Sequence, residues 1–392
     1  MRKGKDNGNS DHHGIYLISA AHLLHDTYTA FLAQALPLLM NKLGFSTTLG
    51  GMLSVVQRIP SMFNFLVGIL AENVKARYFV IFSPALTAIA MSLIGVAPGY
   101  IFLTVLLFVS GVSSTLFHVP APVMIKKLSG NRVGRGMSFF MLGGELARTL
   151  GPLVVVGIVS IWGIEGTWRM IPLGLLASLV LFLKLRHVSI SMNIPHEKEK
   201  GYYWKIFIRF LPVFMAIAGI TFFQAGMKSS LTFYLPTFIT QRTGNYEFSG
   251  LSLSILQLAG AAGTFYSGNI SDRIGRKTAL FIITLITPVM MWIFIHTSGW
   301  FTIPVLVVLG FFMMAPTPVF LAIIHELRTE HLSFVNGVYM TINFFINSIM
   351  VMLVGYVSDQ LGMETTFKIA AIFAVFSVFF ALRLPGIIRK KR

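Results

Sequence analysis

The chain has 392 residues, of which 55% are apolar and only 11% charged, and it contains no cysteine. Soluble domains carry about 25% charged residues, and here the apolar excess continues along nearly the whole chain. That excludes a cytosolic enzyme, a disordered chain and a disulfide scaffold, and leaves a polytopic membrane protein. The formal net charge of +17 comes from 31 Lys and Arg against 14 Asp and Glu. These bases lie in short runs between apolar stretches, the pattern of cytoplasmic loops rather than of a nucleic-acid surface.

Stretches of about 20 apolar residues, each long enough to cross a bilayer, follow one another. After a polar tail (1–14), the first runs from 15 to 41. It is too long for a signal-peptide core and is expected to stay as a span. Five more are expected at 48–71, 78–97, 100–125, 137–160 and 168–186, closing an N-terminal six-helix bundle over 15–186. A cytoplasmic linker (187–208) leads to spans at 209–240, 248–271, 277–297, 301–325, 334–358 and 364–384. These form a C-terminal bundle over 209–384, followed by a basic tail (385–392). The alternation of a membrane β-barrel is absent. The expected fold is therefore an all-α membrane protein of 12 transmembrane helices in two six-helix pseudo-symmetric bundles. With the N-terminus inside, the cytoplasmic segments collect 24 Lys and Arg. The external side receives only Lys42, Arg169, Arg242 and Lys368. The bias places both termini and the linker in the cytoplasm.

Ionisable residues within spans are costly, at least about 2.5–3.5 kcal/mol each, and are functional candidates by default. In chain order the first are His22 and Asp26, four apart on one helix face. A carboxylate that alternates between water and a cation is suited to carrying a proton. The other reading of Asp26 is an ion pair with Arg58. Arg58, beside Gln57 and ahead of Pro60, either binds an anionic solute bidentately or holds Asp26. His118 either titrates near neutral pH or is a hydrogen-bonded helix contact. Glu145 and Arg148, three apart, form a local pair; the sharper option is proton coupling through Glu145. Gln224 and Lys228 share a face and either contact solute, or Lys228 snorkels outward. The Pro-x-Pro segments at 120–122 and 316–318 break two helices. His325-Glu326 and Glu330-His331 read as a solvated loop.

Two short repeats recur at half the chain length, Pro120-Ala-Pro-Val with Pro316-Thr-Pro-Val, and a segment from Gly68 with one from Gly268. The second copy reads Gly268-Asn-Ile-Ser-Asp272-Arg273-Ile-Gly275-Arg276-Lys277. Gly268 suits close helix packing, Asp272 the positive end of a neighbouring helix, and Gly275 a tight turn. This segment resembles the loop signature of the major facilitator superfamily. The resemblance implies a cytoplasmic gate built from these residues; in the first-half copy Glu72 stands in place of the Asp. Gly143-Gly-Glu-Leu-Ala-Arg-Thr-Leu-Gly151-Pro152 resembles the Gly-Pro motif of the superfamily's antiporters, with Gly151 and Pro152 as gating positions; its other reading is a packing bend. His22-Leu-Leu-His-Asp26 and Phe117-His118-Val-Pro120 are similar to the fosmidomycin-resistance group of efflux proteins.

These resemblances imply secondary active transport by alternating access. The leading expectation is a proton-coupled exporter (antiporter) of a small amphipathic or anionic compound or drug. The chain would be a multi-pass monomer in a bacterial cytoplasmic (inner) membrane, with a small-molecule substrate, protons and the lipid bilayer as its partners. Asp26, His22 and Glu145 are the proton-coupling candidates. Arg58, Gln57, His118, Arg148, Gln224 and Lys228 are the substrate-binding candidates. An importer of an organic anion, such as a metabolite or siderophore, and a transport-inactive sensor stay open. Neither a phosphate-binding loop nor a catalytic constellation is present in the sequence. The expectation is therefore no enzyme, no cofactor, no metal and no nucleic acid.

Overall fold

The computed structural model describes residues 11–64, 76–130, 132–187, 202–327, 329 and 332–384. Every regular element among these residues is helical. In chain order they are α1 (His12–Thr29), α2 (Phe31–Leu43), α3 (Thr47–Arg58), α4 (Arg77–Ser92), α5 (Tyr100–His118), α6 (Ala121–Leu128), α7 (Val133–Trp162) and α8 (Ile171–Leu185). Then come α9 (Tyr202–Thr232), α10 (Leu235–Thr243), α11 (Tyr246–Ile274), α12 (Arg276–His296), α13 (Thr302–Met314), α14 (Pro316–His325), α15 (Leu332–Leu361), α16 (Met363–Val375) and α17 (Ser377–Leu382).

Among the described residues ten helical stretches are long and apolar enough to cross a membrane. The two other expected spans do not meet both conditions, for separate reasons. The first is divided at Ala30 into α1 and α2, and α1 carries His22, His25 and Asp26, which lower its apolarity. The second begins with α3 and a 3-10 turn over Ile59–Phe63, then runs into residues outside the described set. The prolines break helices where expected: α5 gives way to α6 around Pro120, and α13 to α14 at Pro316.

The chain forms two compact units, one of residues 1–43 and 56–196, the other of 44–55 and 197–392. The first packs Ile18, Val80, Ile81, Phe117, Met124 and Phe140 into its core. The second packs Phe214, Ile217, Ile220, Leu280, Val319 and Ile323. The apolar side chains that remain go outward. On α8, Gly174, Ser178, Leu181 and Leu185 are buried on one stripe. Leu173, Leu175, Leu176, Leu179 and Leu183 on the other side are all exposed. An apolar face of this extent is stable against lipid and not against water.

With no hydrophobic drive between helices in lipid, close approach of backbones at small residues holds them together. A Cβ added to Gly263 of α11 would lie 1.9 Å from the Phe311 carbonyl oxygen of α13. One added to Gly310 of α13 would lie 2.3 Å from that of Leu256 on α11.

The second unit also holds the start of α3. The Asp359 carboxylate accepts the backbone N–H groups of Thr47 and Thr48 at 2.8 Å each, and the Thr48 hydroxyl. It thereby satisfies donors that a helix start leaves open and sets a negative charge on the positive end. Tyr234 donates to the Val351 carbonyl at 2.8 Å and lies 3.3 Å from that of Thr47. Asp359→Ala is expected to cost about 1–2 kcal/mol. It should lower the unfolding temperature in detergent, with Asp359→Asn falling between Ala and the wild type. An unchanged unfolding temperature would contradict this capping role.

Candidate functional site

In the first unit α1 supplies His22, His25 and Asp26, α5 ends on His118, and α7 brings Phe140 and Gly144 alongside. His118 is the last residue of α5 because the helix stops ahead of Pro120. Both oxygens of Asp26 face histidines: His22 Nε2 lies 3.2 Å from Oδ2, and His118 Nε2 lies 3.3 Å from Oδ1.

The other ring nitrogens fix what these contacts mean. His22 Nδ1 lies 2.7 Å from the Phe140 carbonyl oxygen, and His118 Nδ1 lies 2.9 Å from that of Ser114. A carbonyl oxygen only accepts, so both Nδ1 atoms carry the hydrogen. In a neutral imidazole the Nε2 atom is then a bare acceptor, and a carboxylate oxygen opposite it is an acceptor too. Each gap needs a cation to close it. The trio can therefore hold none, one or two bridging protons, with net charge running from minus one through zero to plus one.

The scaffold around the trio is tight. The His22 ring stacks on Phe140 with centroids 4.0 Å apart. A Cβ added to Gly144 would sit 2.7 Å from His22 Cε1 and 2.9 Å from Nε2. Gly143 and Gly151 bring α7 against α1, where added Cβ atoms would lie 2.6 Å from the Ser19 carbonyl oxygen and from Ala30 Cβ. Gly151 thus serves packing, and α7 continues through Pro152 as one helix. His25, fully buried, stacks on Phe117 at 4.7 Å, and neither ring nitrogen has a hydrogen-bond partner among the described residues. The side chain of His118 is 36% exposed against 6% for His22 and 13% for Asp26, so the trio opens on the His118 side.

The pairing of Asp26 with Arg58 does not form; histidines take its place, and Arg58 is exposed. Gln57, a substrate-contact candidate, spends its amide on the Thr29 carbonyl at 3.3 Å and on the Met91 sulfur at 3.6 Å. Glu145 and Arg148 pair locally at 3.3 Å.

In the second unit a small pocket is lined by Thr221, Gln224, Lys228, Thr317, Asn343 and Asn347 among others. The Gln224 amide donates to Thr287 and Ser377 at 3.1 Å each, which ties three helices together. Asn347 donates to the Asn343 carbonyl at 2.7 Å, and Asn343 to the Tyr339 hydroxyl at 3.3 Å. Sequence reasoning passed over these asparagines because they are uncharged; their four-residue spacing on one helix is the signal it could have used.

The loop between α11 and α12 turns at Gly275, whose φ of +92° favours glycine. Gly268 departs from expectation. Among the described residues nothing lies within 4 Å of where its Cβ would sit, so no described helix packs on it. Its carbonyl instead accepts from Arg276 at 3.3 Å. Arg276 also pairs with Asp272 and reaches Glu326 at 2.8 Å through Nη2 and 3.1 Å through Nε. Glu326 is therefore an ion-pair partner and not a free loop residue; Glu330 and His331 lie outside the described residues. Arg273 and Lys277 are exposed, and Glu72 lies outside the described residues. Because the Arg276 fork contacts Glu326 through two nitrogens, Arg276→Lys should lose that geometry. With the Glu326 side chain 42% exposed, the stability change should stay under about 1 kcal/mol. The expected readout is a several-fold change in transport rate with an unaltered unfolding temperature; a large fall in stability would contradict it.

The sequence profile of the Major Facilitator Superfamily matches residues 18–346 and 217–391. The chain belongs to the major facilitator superfamily. It is thus a multi-pass membrane transporter and not an enzyme. This facilitator is 25% identical over 370 residues to the fosmidomycin resistance protein of Escherichia coli (strain K12), covering 90% of this chain and 88% of that one. It is 21% identical over 387 residues to the uncharacterized transporter YfnC of Bacillus subtilis (strain 168), covering 95% and 92%. In fold it is similar to the nucleoside transporter NupG, with a TM-score of 0.79, 14% identity and coverage of 95% and 99%. A bacterial homologue of the human lysosomal transporter Spinster gives 0.76, 14%, 94% and 95%.

Proposed function

We propose that this facilitator is a proton-coupled exporter of a small amphipathic or anionic compound, working by alternating access as a monomer in the bacterial inner membrane. It would have twelve spans in two bundles (15–186 and 209–384) and cytoplasmic termini. The observation that carries the coupling is Asp26 set between two histidines whose Nδ1–H groups are already committed to carbonyls. A group of this kind changes its charge by gaining or losing bridging protons without any large movement of its own, as an exchange cycle requires.

Asp26, His22 and His118 are assigned to the proton. Glu145 is assigned to neutralising Arg148 rather than to coupling. Arg58 and Lys228 are assigned to an anionic solute, Lys228 with Asn343 and Asn347 in the pocket of the second unit. Gln57 and Gln224 are assigned to holding helices, since their amide hydrogens are in use. The loop residues Asp272, Arg276 and Glu326 are assigned to gating, with Gly275 as the turn between them.

The test is growth of an efflux-deficient bacterium expressing the chain, over a panel of toxic compounds. Fosmidomycin heads the panel because the Escherichia coli relative is named for resistance to it, and other phosphonates follow. The expected result is a raised inhibitory concentration for at least one anionic or amphipathic compound. Sensitisation to an anionic toxin would reverse the direction, and no change for any compound at verified membrane expression would remove the export reading.

A further inference from the structure

We propose that the His22, Asp26 and His118 trio binds one divalent first-row transition cation, of which zinc is the representative. The ligand atoms of the three residues lie within 4.8 Å of one another. Tetrahedral zinc with bonds of about 2.0–2.1 Å sets its ligands about 3.3–3.4 Å apart. The observed Nε2 to carboxylate separations are 3.2 Å for His22, to Oδ2, and 3.3 Å for His118, to Oδ1, so a rotation of the carboxylate is needed to set one oxygen against both rings. Two imidazoles and one carboxylate are a donor set that suits zinc, with a fourth position left for water. That position falls on the His118 side, where the trio opens.

Three further features belong to a metal site rather than to a chance cluster. Each histidine gives its Nδ1–H to a backbone carbonyl, Phe140 or Ser114, which turns the Nε2 lone pair inward and fixes the tautomer. This is the outer-shell arrangement found around metal-bound histidine. The His22 ring is immobilised on Phe140 and overlain by the bare face of Gly144, so the ligand is in place before the ion arrives. A divalent cation with one carboxylate also leaves the trio at a net charge of plus one, the same as two bridging protons. The ion therefore brings no more charge than two bridging protons would. His25 is not a ligand, since its ring is stacked on Phe117.

The proposal does not depend on what the protein transports, and its test is a binding measurement. The full chain is purified in detergent with its tag removed, stripped with chelator and titrated with zinc chloride by calorimetry. The expected result is one tight event per chain, at least about tenfold weaker in Asp26→Asn and in His118→Gln. It should be unaltered in His187→Gln, a change at an exposed histidine away from the trio. Titration of the wild type with cobalt chloride should give the strong visible bands of a tetrahedral site. This second measurement decides the matter if a variant fails to fold. Absence of an event in the wild type, an event that both trio variants retain, or weak bands of octahedral cobalt would each overturn the proposal. Failure here would leave proton coupling and export untouched, because those are read by growth and flux.

Discussion

Asp26→Asn is expected to remove all protection against exported compounds while the protein still folds and reaches the membrane. An amide in place of the carboxylate can donate to one bare Nε2 and accept from a protonated one, so the packing around His22 and His118 survives. What it cannot do is carry the negative charge on which a second bridging proton depends. Proton-driven flux in liposomes should fall by at least about tenfold, equivalent to about 1.4 kcal/mol in the driving step. Exchange of labelled for unlabelled solute across the same liposomes should persist, because it needs no net proton movement. Loss of both activities would assign Asp26 to structure, and retention of proton-driven flux would remove it from coupling.

The second large effect is expected at a residue without a side chain. Gly144→Ala places a methyl group 2.7 Å from His22 Cε1, and His22 cannot swing away without breaking its 2.7 Å bond to the Phe140 carbonyl. Overpacking of this kind costs about 1–3 kcal/mol, and the strain falls on the ring that faces Asp26. Transport should drop to near background, whereas thermal stability should fall only modestly. Gly157→Ala on the same helix is the control. Among the described residues nothing lies within 4 Å of its Cβ position, and Ala favours a helix over Gly by about 0.8–1.0 kcal/mol. That variant should be as active as the wild type and no less stable. If the two variants behave alike, the contact with His22 has no functional weight.

The reasons these two sites differ in visibility are physical. His22 and Asp26 were legible because a four-residue spacing on a helix is a local fact, as were the helix breaks at Pro120 and Pro316 and the turn at Gly275. His118 was recognised as a candidate but not as the second partner of Asp26. The two residues, 92 positions apart, are brought together by packing of α5 and α7 on α1, which no spacing rule encodes. For the same reason the sequence leaves open a pairing of Arg58 with Asp26 that does not form. Gly144 drew notice only as part of a packing motif, since its importance lies in what a missing atom leaves room for. Glu326 looked like a loop residue because its partner Arg276 is 50 positions away. Gln57 and Gln224 were read as open to solute because sequence shows a polar group and not whether its hydrogen bonds are already spent.

The placement of residues 44–55 in the second unit, between stretches of the first, bears on how the polypeptide can be divided. A cut in the central linker yields fragments 1–196 and 197–392, but the second unit is then shared between them. The Asp359 carboxylate would lose the three donors it accepts from Thr47 and Thr48, and the Tyr234 hydroxyl its Thr47 neighbour. Fragment 197–392 made alone should accordingly be prone to degradation. Synthesised beside fragment 1–196, it should be rescued, and the pair should be recovered together as a split transporter.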